Sequence, residues 1–134
     1  MPSMTSADPA FMPPPLHELE SKVMDHVWTL EEASVRDVLH AINLGASRAL
    51  AYTTIMTILQ RLDRKQVVKR RREGKTDFYS PRWSRDAYMQ ARARAEVAAL
   101  VDQYGDEALV HFTRQVDQLD AKTRQKLRRL ARDA

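Results

Sequence analysis

One helix-length segment, residues 51–65 (AYTTIMTILQRLDRK), carries side chains that could bind a nucleic acid on one side only. At about 100° of rotation per residue, Thr57, Gln60 and Arg64 fall within roughly 40° of Thr53. Thr54 and Arg61 flank this group, and the opposite side holds Ile55, Ile58, Leu59 and Leu62. Hydroxyl, amide and guanidinium groups contact phosphates and base edges. The pattern predicts a helix that packs through its apolar side and presents these six polar residues to DNA.

The alternative interpretation is that the polar side of this helix is exposed to solvent and has no role in binding DNA. β-branched threonine is a poor helix former, so three threonines on one exposed face need another reason. Tyr52 lies at the boundary of the two faces, where core packing and a phosphate contact are both open.

A basic hairpin is predicted directly after this helix. Val67–Arg72 and Thr76–Ser80 have the composition of two strands joined at Glu73-Gly74-Lys75, where glycine supplies the turn and Pro81 closes the hairpin. The residues of this wing predicted to contact DNA are Lys69, Arg70, Arg71, Arg72 and Lys75. We expect these charges to supply non-specific affinity and the helix to supply sequence choice.

The charge of the chain is concentrated in this region. Between residues 45 and 85 eleven Lys or Arg stand against three Asp or Glu, a net +8, while the rest of the chain carries −4 and the whole +4. A merely solvated surface would spread its charge more evenly. The distribution therefore indicates a polyanionic partner.

Two further helices must position the DNA-reading one. The first is predicted from Leu16 to Trp28, and Ser34 is the predicted N-cap of the second, which ends at Asn43–Gly45. Three helices and a hairpin indicate a mainly α protein, with a winged helix-turn-helix domain over residues 16–82.

The remaining residues, 83–134, contain no proline and are predicted to be helical. The expected helices are Asp86–Tyr104, Asp106–Val116 and a third that opens at Asp120 and runs to about Arg132. Their apolar residues recur every three or four positions: Val97, Leu100, Val101, Tyr104, Leu109, Phe112 and Val116. About 50 residues make a poor independent core, so this stripe predicts a dimerisation region and a homodimer.

Composition bears on the N-terminal segment, the cellular compartment and the presence of metal or thiol chemistry. Residues 1–15 hold five of the six prolines and are predicted to be a disordered tail, without the features of a signal peptide. No apolar run could span a membrane, and there is no cysteine, which together favour a cytoplasmic protein without disulfides or thiolate chemistry. The histidines, His17, His26, His40 and His111, are isolated from one another, so we expect no metal and no cofactor.

The segments LHELESKVMDHVW, SVRDVLHAI, LAYTTIMTILQRLDRK and REGKTDFYSP closely resemble the penicillinase-repressor family of BlaI- and MecI-like transcriptional repressors. The resemblance spans about residues 16–116 and implies a dimeric, sequence-specific repressor. Its third helix would enter the major groove of a double-stranded operator built as an inverted repeat. Gln66 departs from the glycine or asparagine common at this helix end in the family, and would cost about 1 kcal/mol if the position is left-handed.

The resemblance also implies a switch. Family repressors are released when a BlaR-type membrane sensor protease leads to cleavage of the dimerisation region. The corresponding dipeptide here is His111-Phe112, with histidine in place of asparagine. A surface histidine beside a core phenylalanine is the alternative interpretation of this pair.

The sequence also bears on three other classes of function. The chain has no cysteine nucleophile, Gly-rich phosphate loop or G-x-S-x-G elbow, so the sequence indicates no enzyme. A winged helix that binds only proteins would have little use for the basic wing. A small-molecule-responsive regulator of the MarR type is the nearest rival, and it would need a ligand pocket between the winged helix and the tail.

Overall fold

The computed structural model describes residues 13–133, which form six helices and three strands. In chain order these are α1 (Glu18–Leu30), β1 (Ala33–Ser34), α2 (Val35–Asn43), α3 (Tyr52–Arg64), β2 (Val68–Glu73), β3 (Thr76–Pro81), α4 (Arg85–Tyr104), α5 (Asp106–Asp117) and α6 (Ala121–Asp133). The predicted mainly α winged helix is confirmed. The first helix begins and ends two residues later than the sequence predicts, because His17 and not a residue before Leu16 serves as its N-cap.

The wing belongs to a sheet with one more strand than predicted. The strand order is β1-β3-β2, and both pairings are antiparallel. Glu73 pairs with Thr76, so the turn is only Gly74-Lys75, with Gly74 at a φ of +61° that suits a residue without a Cβ atom. Pro81 pairs with Val68 as the last residue of β3, so it ends the hairpin from within the strand.

The core lies between α1, α2, α3 and the sheet. The helices contribute Val23, Met24, Val27, Val38, Ile55, Ile58, Leu59 and Leu62, and the strands and their flanks contribute Ala33, Val67, Val68 and Tyr79. Each α3 member of this set belongs to the predicted apolar side. Burial of that side against three elements is therefore what fixes the rotation of α3 about its axis.

The first compact unit extends beyond the domain boundary predicted at residue 82 and runs to Ala95. The opening turns of α4 bury Ala87, Tyr88 and Ala91. The Tyr88 ring lies 5.5 Å from that of Trp28, whose Nε1 donates to the Trp83 carbonyl at 2.9 Å. The start of α4 is thus part of the winged-helix unit.

Three prolines of the predicted tail also contact this unit. The carbonyl oxygens of Pro13, Pro14 and Pro15 accept hydrogen bonds from Arg92, Tyr88 and Lys65 at 3.0, 3.3 and 3.4 Å. Residues 13–15 of the predicted tail are therefore held against the winged-helix unit by hydrogen bonds. Residues 1–12 of that prediction lie outside the described residues.

The second unit, residues 96–133, contains the end of α4 with α5 and α6. Gly105, at φ +60°, separates α4 from α5, and the Asp120 carboxylate accepts from the Thr123 amide at 2.7 Å as α6 begins. These breaks and caps are those predicted. Not one residue of this unit is buried. Within residues 13–133 no helix combines the length and apolar character needed to cross a bilayer.

Candidate nucleic-acid interface

The loop between α2 and α3 sets where the predicted DNA-reading helix starts. The Asn43 side chain donates to the Leu50 carbonyl at 3.1 Å and accepts from the Leu50 amide at 2.8 Å. One amide side chain thus pairs with both backbone groups of a residue seven positions later and closes the loop. At the other end of α2, Ser34 and Asp37 form a capping box, with reciprocal bonds of 2.9 and 3.2 Å.

The polar side of α3 is open to solvent over its whole length. Thr53, Thr57, Gln60, Arg61 and Arg64 are exposed, and Thr54 is half-buried. The structure therefore brings all six predicted helix contacts to one face. Side chains spaced along one exposed helical face are what major-groove readout needs.

Two interactions stabilise the C-terminal end of α3, a Schellman motif and an ion pair. Gln66 and Val67 donate to the carbonyls of Asp63 and Leu62 at 3.0 Å each, the hydrogen bonds of a Schellman motif, with Gln66 at φ +63°. The left-handed conformation considered for Gln66 is therefore present. Lys65 Nζ lies 2.7 Å from Glu20 Oε1 in α1, and the Glu20 side chain is 3% exposed.

Glu20 remains ionised despite its burial. Burial alone would raise the pKa of this carboxyl. The hydrogen bond from Lys65, the bond from the His17 amide and the nearby positive charge outweigh it and hold the pKa below the ordinary value. This buried carboxylate ties the start of α1 to the end of α3.

Two grooves border the polar face of α3. One is lined by Thr53, Thr54, Thr57 and Arg61 together with His17, Leu19 and Glu20 of the α1 start. The other is lined by Tyr52, Met56 and Gln60 together with Ser34, Val35 and Arg36 of the α2 start and Lys75, Thr76, Asp77 and Tyr79 of the wing. The helix face is therefore continuous with the α2 start and with one face of the wing.

Arg36 also belongs to this surface, although it is not among the residues predicted to contact DNA. Its guanidinium carbon lies 5.5 Å from the centre of the Tyr52 ring, and both residues are exposed. Tyr52 is thus on the surface and not in the core. The available signal was an arginine two residues after the predicted Ser34 cap, off the apolar stripe of α2.

The five predicted wing contacts do not share one environment. Neighbouring residues of β2 point to opposite faces, so Arg70 and Arg72 lie on the face of Tyr79, which packs into the core. They approach Asp77 to 4.0 and 3.5 Å. Arg71 lies on the other face, paired with Glu32 at 2.8 Å and Glu73 at 3.0 Å.

The remaining two wing residues differ as well. Lys75, in the turn, is exposed and lines the groove with Gln60. Lys69 is half-buried and shares the face of Arg71.

The predicted dimerisation residues are largely exposed, but they cover more than one surface. Leu100, Tyr104 and Phe112 line an apolar groove of about 400 Å³ with Glu107, Ala108, His111 and Gln115. Leu109 lies on a neighbouring surface with Val110, which is not among the predicted dimerisation residues. Val97 and Val116 are exposed, and Val101 is half-buried.

The predicted cleavage dipeptide lies inside a helix. His111 and Phe112 are in the middle of α5, and His111 Nε2 is 3.9 Å from Glu107 Oε2. Phe112 is 39% exposed, so within one chain it is not a core residue.

Comparison with known proteins identifies the family of this chain. Residues 16–133 match the family model described as penicillinase repressor. The chain is 41% identical over 114 residues to proteins called transcriptional regulator BlaI from two strains of Mycobacterium tuberculosis, covering 81% of this chain and 80% of those proteins. A solution structure of the monomeric form of Bacillus licheniformis BlaI in complex with the blaP half-operator matches with 25% identity and a TM-score of 0.45, covering 56% of this chain and 89% of the other.

Proposed function

Because the chain belongs to the penicillinase repressor family, we propose that it is a dimeric transcriptional repressor that binds an inverted-repeat DNA operator. The family is one of transcriptional regulators and not of enzymes. The observation that carries the proposal is the division of α3. Its apolar side is fully engaged in the core, while Thr53, Thr57 and Gln60 stand exposed in the row a major groove would accept.

Each polar side chain of this surface has a DNA contact that suits its chemistry. A threonine can place its methyl group against a thymine methyl and donate its hydroxyl, and Gln60 can address the N6 and N7 atoms of adenine. Arg61 and Arg64, near the end of α3, suit phosphates. Arg70, Arg72 and Lys75 would follow the backbone beside the helix, and Lys69 would add charge from the other face of the wing.

Arg36 and Tyr52 extend this surface toward the start of α2. A guanidinium over a tyrosine ring is held in place by a cation–π contact without losing its donors. We assign this pair to the DNA backbone, because the α2 start and α3 border one groove. Its charge would help to position the helix and would carry no sequence information.

The dimer proposal depends on the second unit. No residue between 96 and 133 is buried. Exposed apolar side chains nevertheless recur on these helices: Val97, Tyr104, Leu109, Phe112 and Val116. Contact with the same surfaces of a second copy would remove these side chains from water. Two DNA-reading helices would then address half-sites about one helical turn, roughly 35 Å, apart or a multiple of it.

Proteolytic relief belongs to the same proposal. Cleavage between His111 and Phe112 by a BlaR-type sensor system would remove Phe112, Val116 and α6 from the dimerising helices. The dimer and paired half-site binding would be lost together. A protease needs an extended substrate, so α5 would have to unwind locally at this exposed dipeptide. Such a repressor works where the chromosome lies, in the cytoplasm.

In vitro selection from a mixed-sequence duplex pool tests the proposal. The expected result is enrichment of a dyad whose half-sites are spaced by a helical turn or a multiple of it. A pool that stays unenriched after binding and recovery at physiological salt would refute sequence-specific DNA binding. Enrichment of a single half-site without a dyad would instead contradict the dimeric part.

A further inference from the structure

Arg71 is held more tightly than any other arginine of the wing. Its Nη2 and Nε donate to the two carboxylate oxygens of Glu32 at 2.8 and 3.1 Å, and its Nη1 donates to Glu73 at 3.0 Å. The guanidinium carbon lies 4.9 Å from the centre of the Phe78 ring. A bidentate arginine–carboxylate pair has a defined geometry, unlike an ordinary surface ion pair.

The path of the Arg71 side chain crosses the sheet. Ser34 of β1, Phe78 of β3 and Arg71 of β2 stand in one row of the antiparallel register. Arg71 therefore extends over the central strand, covers Phe78, and meets Glu32 just before β1. Since the outer strands of a three-stranded sheet are almost 10 Å apart, this side chain connects two elements that share no backbone hydrogen bonds.

This environment is a poor one for a phosphate. Two carboxylates already share this one guanidinium and offset its charge, which weakens its attraction for a polyanion. Arg71 could reach DNA only by giving up charge-assisted hydrogen bonds that are already made. Arg70 and Arg72 lie on the opposite face of β2, the face that borders the groove of α3.

We propose that Arg71 is a positioning residue that clamps the wing to Glu32, and that it does not itself contact DNA. The inference rests on the proposed function, since it assigns one residue of the DNA-binding surface a different role. The clamp sets the angle between the hairpin and β1, and so the position of Arg70, Arg72 and Lys75 relative to α3. The hydrogen bonds from Arg71 also lower the pKa of Glu32, so the carboxylate is ionised at neutral pH.

Glu32→Gln and Glu73→Gln form a matched pair for testing the clamp. Both variants remove one negative charge beside Arg71, and both residues are exposed. Glu73 is two positions from Arg71 on the same strand and joins it to nothing else, whereas Glu32 belongs to the connection between α1 and β1. Removal of a negative charge near DNA strengthens binding when no other effect intervenes.

The clamp predicts opposite results for the two variants. Affinity for the duplex recovered by selection should fall on the order of fivefold in Glu32→Gln and should stay equal or rise slightly in Glu73→Gln. Tighter binding by both variants would overturn the inference, because it would mean that the carboxylates merely compete with DNA for Arg71. The charge exchange Glu32→Arg with Arg71→Glu should bind better than Arg71→Glu alone, and no recovery would count against the clamp.

A second measurement needs no DNA, so failure of the inference is distinguishable from failure of the proposed function. In hydrogen exchange the amides around Gly74 should lose protection in Glu32→Gln and keep it in Glu73→Gln, while the α1 and α3 amides stay protected in both. Unchanged protection at the wing in Glu32→Gln would refute the clamp even if the wild-type chain bound no DNA. Loss of protection throughout the unit would also refute it, since the effect would then be general unfolding.

Discussion

Lys65 Nζ lies 2.7 Å from Glu20 Oε1 and joins the end of α3 to the start of α1. The carboxylate is almost fully buried, while the lysine side chain keeps 24% of its exposure. Glu20 also accepts a hydrogen bond from the His17 amide at 2.9 Å, so one group caps α1 and anchors α3. Its Oε2 has no hydrogen-bond partner among the described residues.

The two partners of this pair should therefore differ in what their removal costs. Lys65→Met leaves a buried carboxylate without its counter-charge, and we expect a loss of about 3 kcal/mol in the free energy of unfolding. Glu20→Gln keeps the cap and leaves a lysine that can turn to solvent, for which we expect about 1 kcal/mol. Urea denaturation followed by circular dichroism measures both. Equal losses would show that the buried charge is not the source of the cost.

Acid should weaken the fold through the same carboxylate. Because the pKa of Glu20 is lower in the folded state than its ordinary 4.5, the folded state binds fewer protons than the unfolded one in this range. The stability that Glu20 provides is complete above its ordinary pKa and is lost as pH falls through the folded-state value. Melting temperature should thus fall below about pH 4.5 more steeply in the wild type than in Glu20→Gln. Parallel pH profiles would contradict this assignment.

Gln66 offers a stabilising substitution. It occupies the left-handed position of the Schellman motif after α3, where a residue with a Cβ atom is strained. Gln66→Gly should raise the free energy of unfolding by about 0.5–1 kcal/mol, after allowance for the weak 3.3 Å bond from its side chain to Asp63. Gln66→Ala is the control, since it removes the side chain and keeps the strain. A gain in the alanine variant would point to the side chain and not to the backbone.

Local periodicity made much of this molecule predictable from sequence. The two sides of α3 depend only on the order of residues 51–65, and the structure buries Ile55, Ile58, Leu59 and Leu62 as that order requires. The Ser34 and Asp120 caps follow in the same way from residue type and position. Gly74 and Gly105 mark breaks for a backbone reason, because both have positive φ.

Features that depend on distant partners were not predictable. β1 has two residues, too few to show alternation, and is a strand only because Tyr79 and Phe78 return beside it. Arg71 is one of four consecutive basic residues, and nothing in the sequence distinguishes it from the others. Only the fold brings Glu32, 39 residues earlier, to its guanidinium. Ala87, Tyr88 and Ala91 have the spacing of an ordinary helix stripe, which does not reveal that they pack into the first unit.

Thr57 should affect the choice of sequence more than the general affinity for DNA. It lies near the centre of the exposed face of α3, where a hydroxyl and a methyl can meet a base edge. We expect Thr57→Ala to weaken binding to the selected operator by about tenfold and to a scrambled duplex by less than about twofold. Fluorescence anisotropy on both duplexes measures the ratio. An equal loss on both would assign Thr57 to a phosphate.

Arg72 should show the reverse behaviour. A wing arginine that neutralises a phosphate contributes to every duplex and releases condensed counterions. Arg72→Ala should weaken operator and scrambled DNA alike and reduce the slope of log affinity against log salt by about 0.9. Arg71→Ala is the internal comparison, and its slope should match that of the wild type. An unchanged slope in Arg72→Ala would remove Arg72 from the interface.

Phe112 is the position at which a single charge should separate the proposed dimer. It lines the apolar groove with Leu100 and Tyr104, and at 39% exposed in one chain it is not among the buried core residues. Phe112→Asp would place a carboxylate in a surface that a second copy must desolvate, which is unfavourable without a partner charge. Sedimentation equilibrium should show a shift from dimer to monomer, with binding to the full dyad reduced to that of one half-site. Gln103→Glu adds the same charge to an exposed residue that lines neither the groove nor the surface of Leu109 and Val110, and should remain dimeric. A Phe112→Asp protein that sediments as the wild type does would show that the groove is not the surface through which the copies associate.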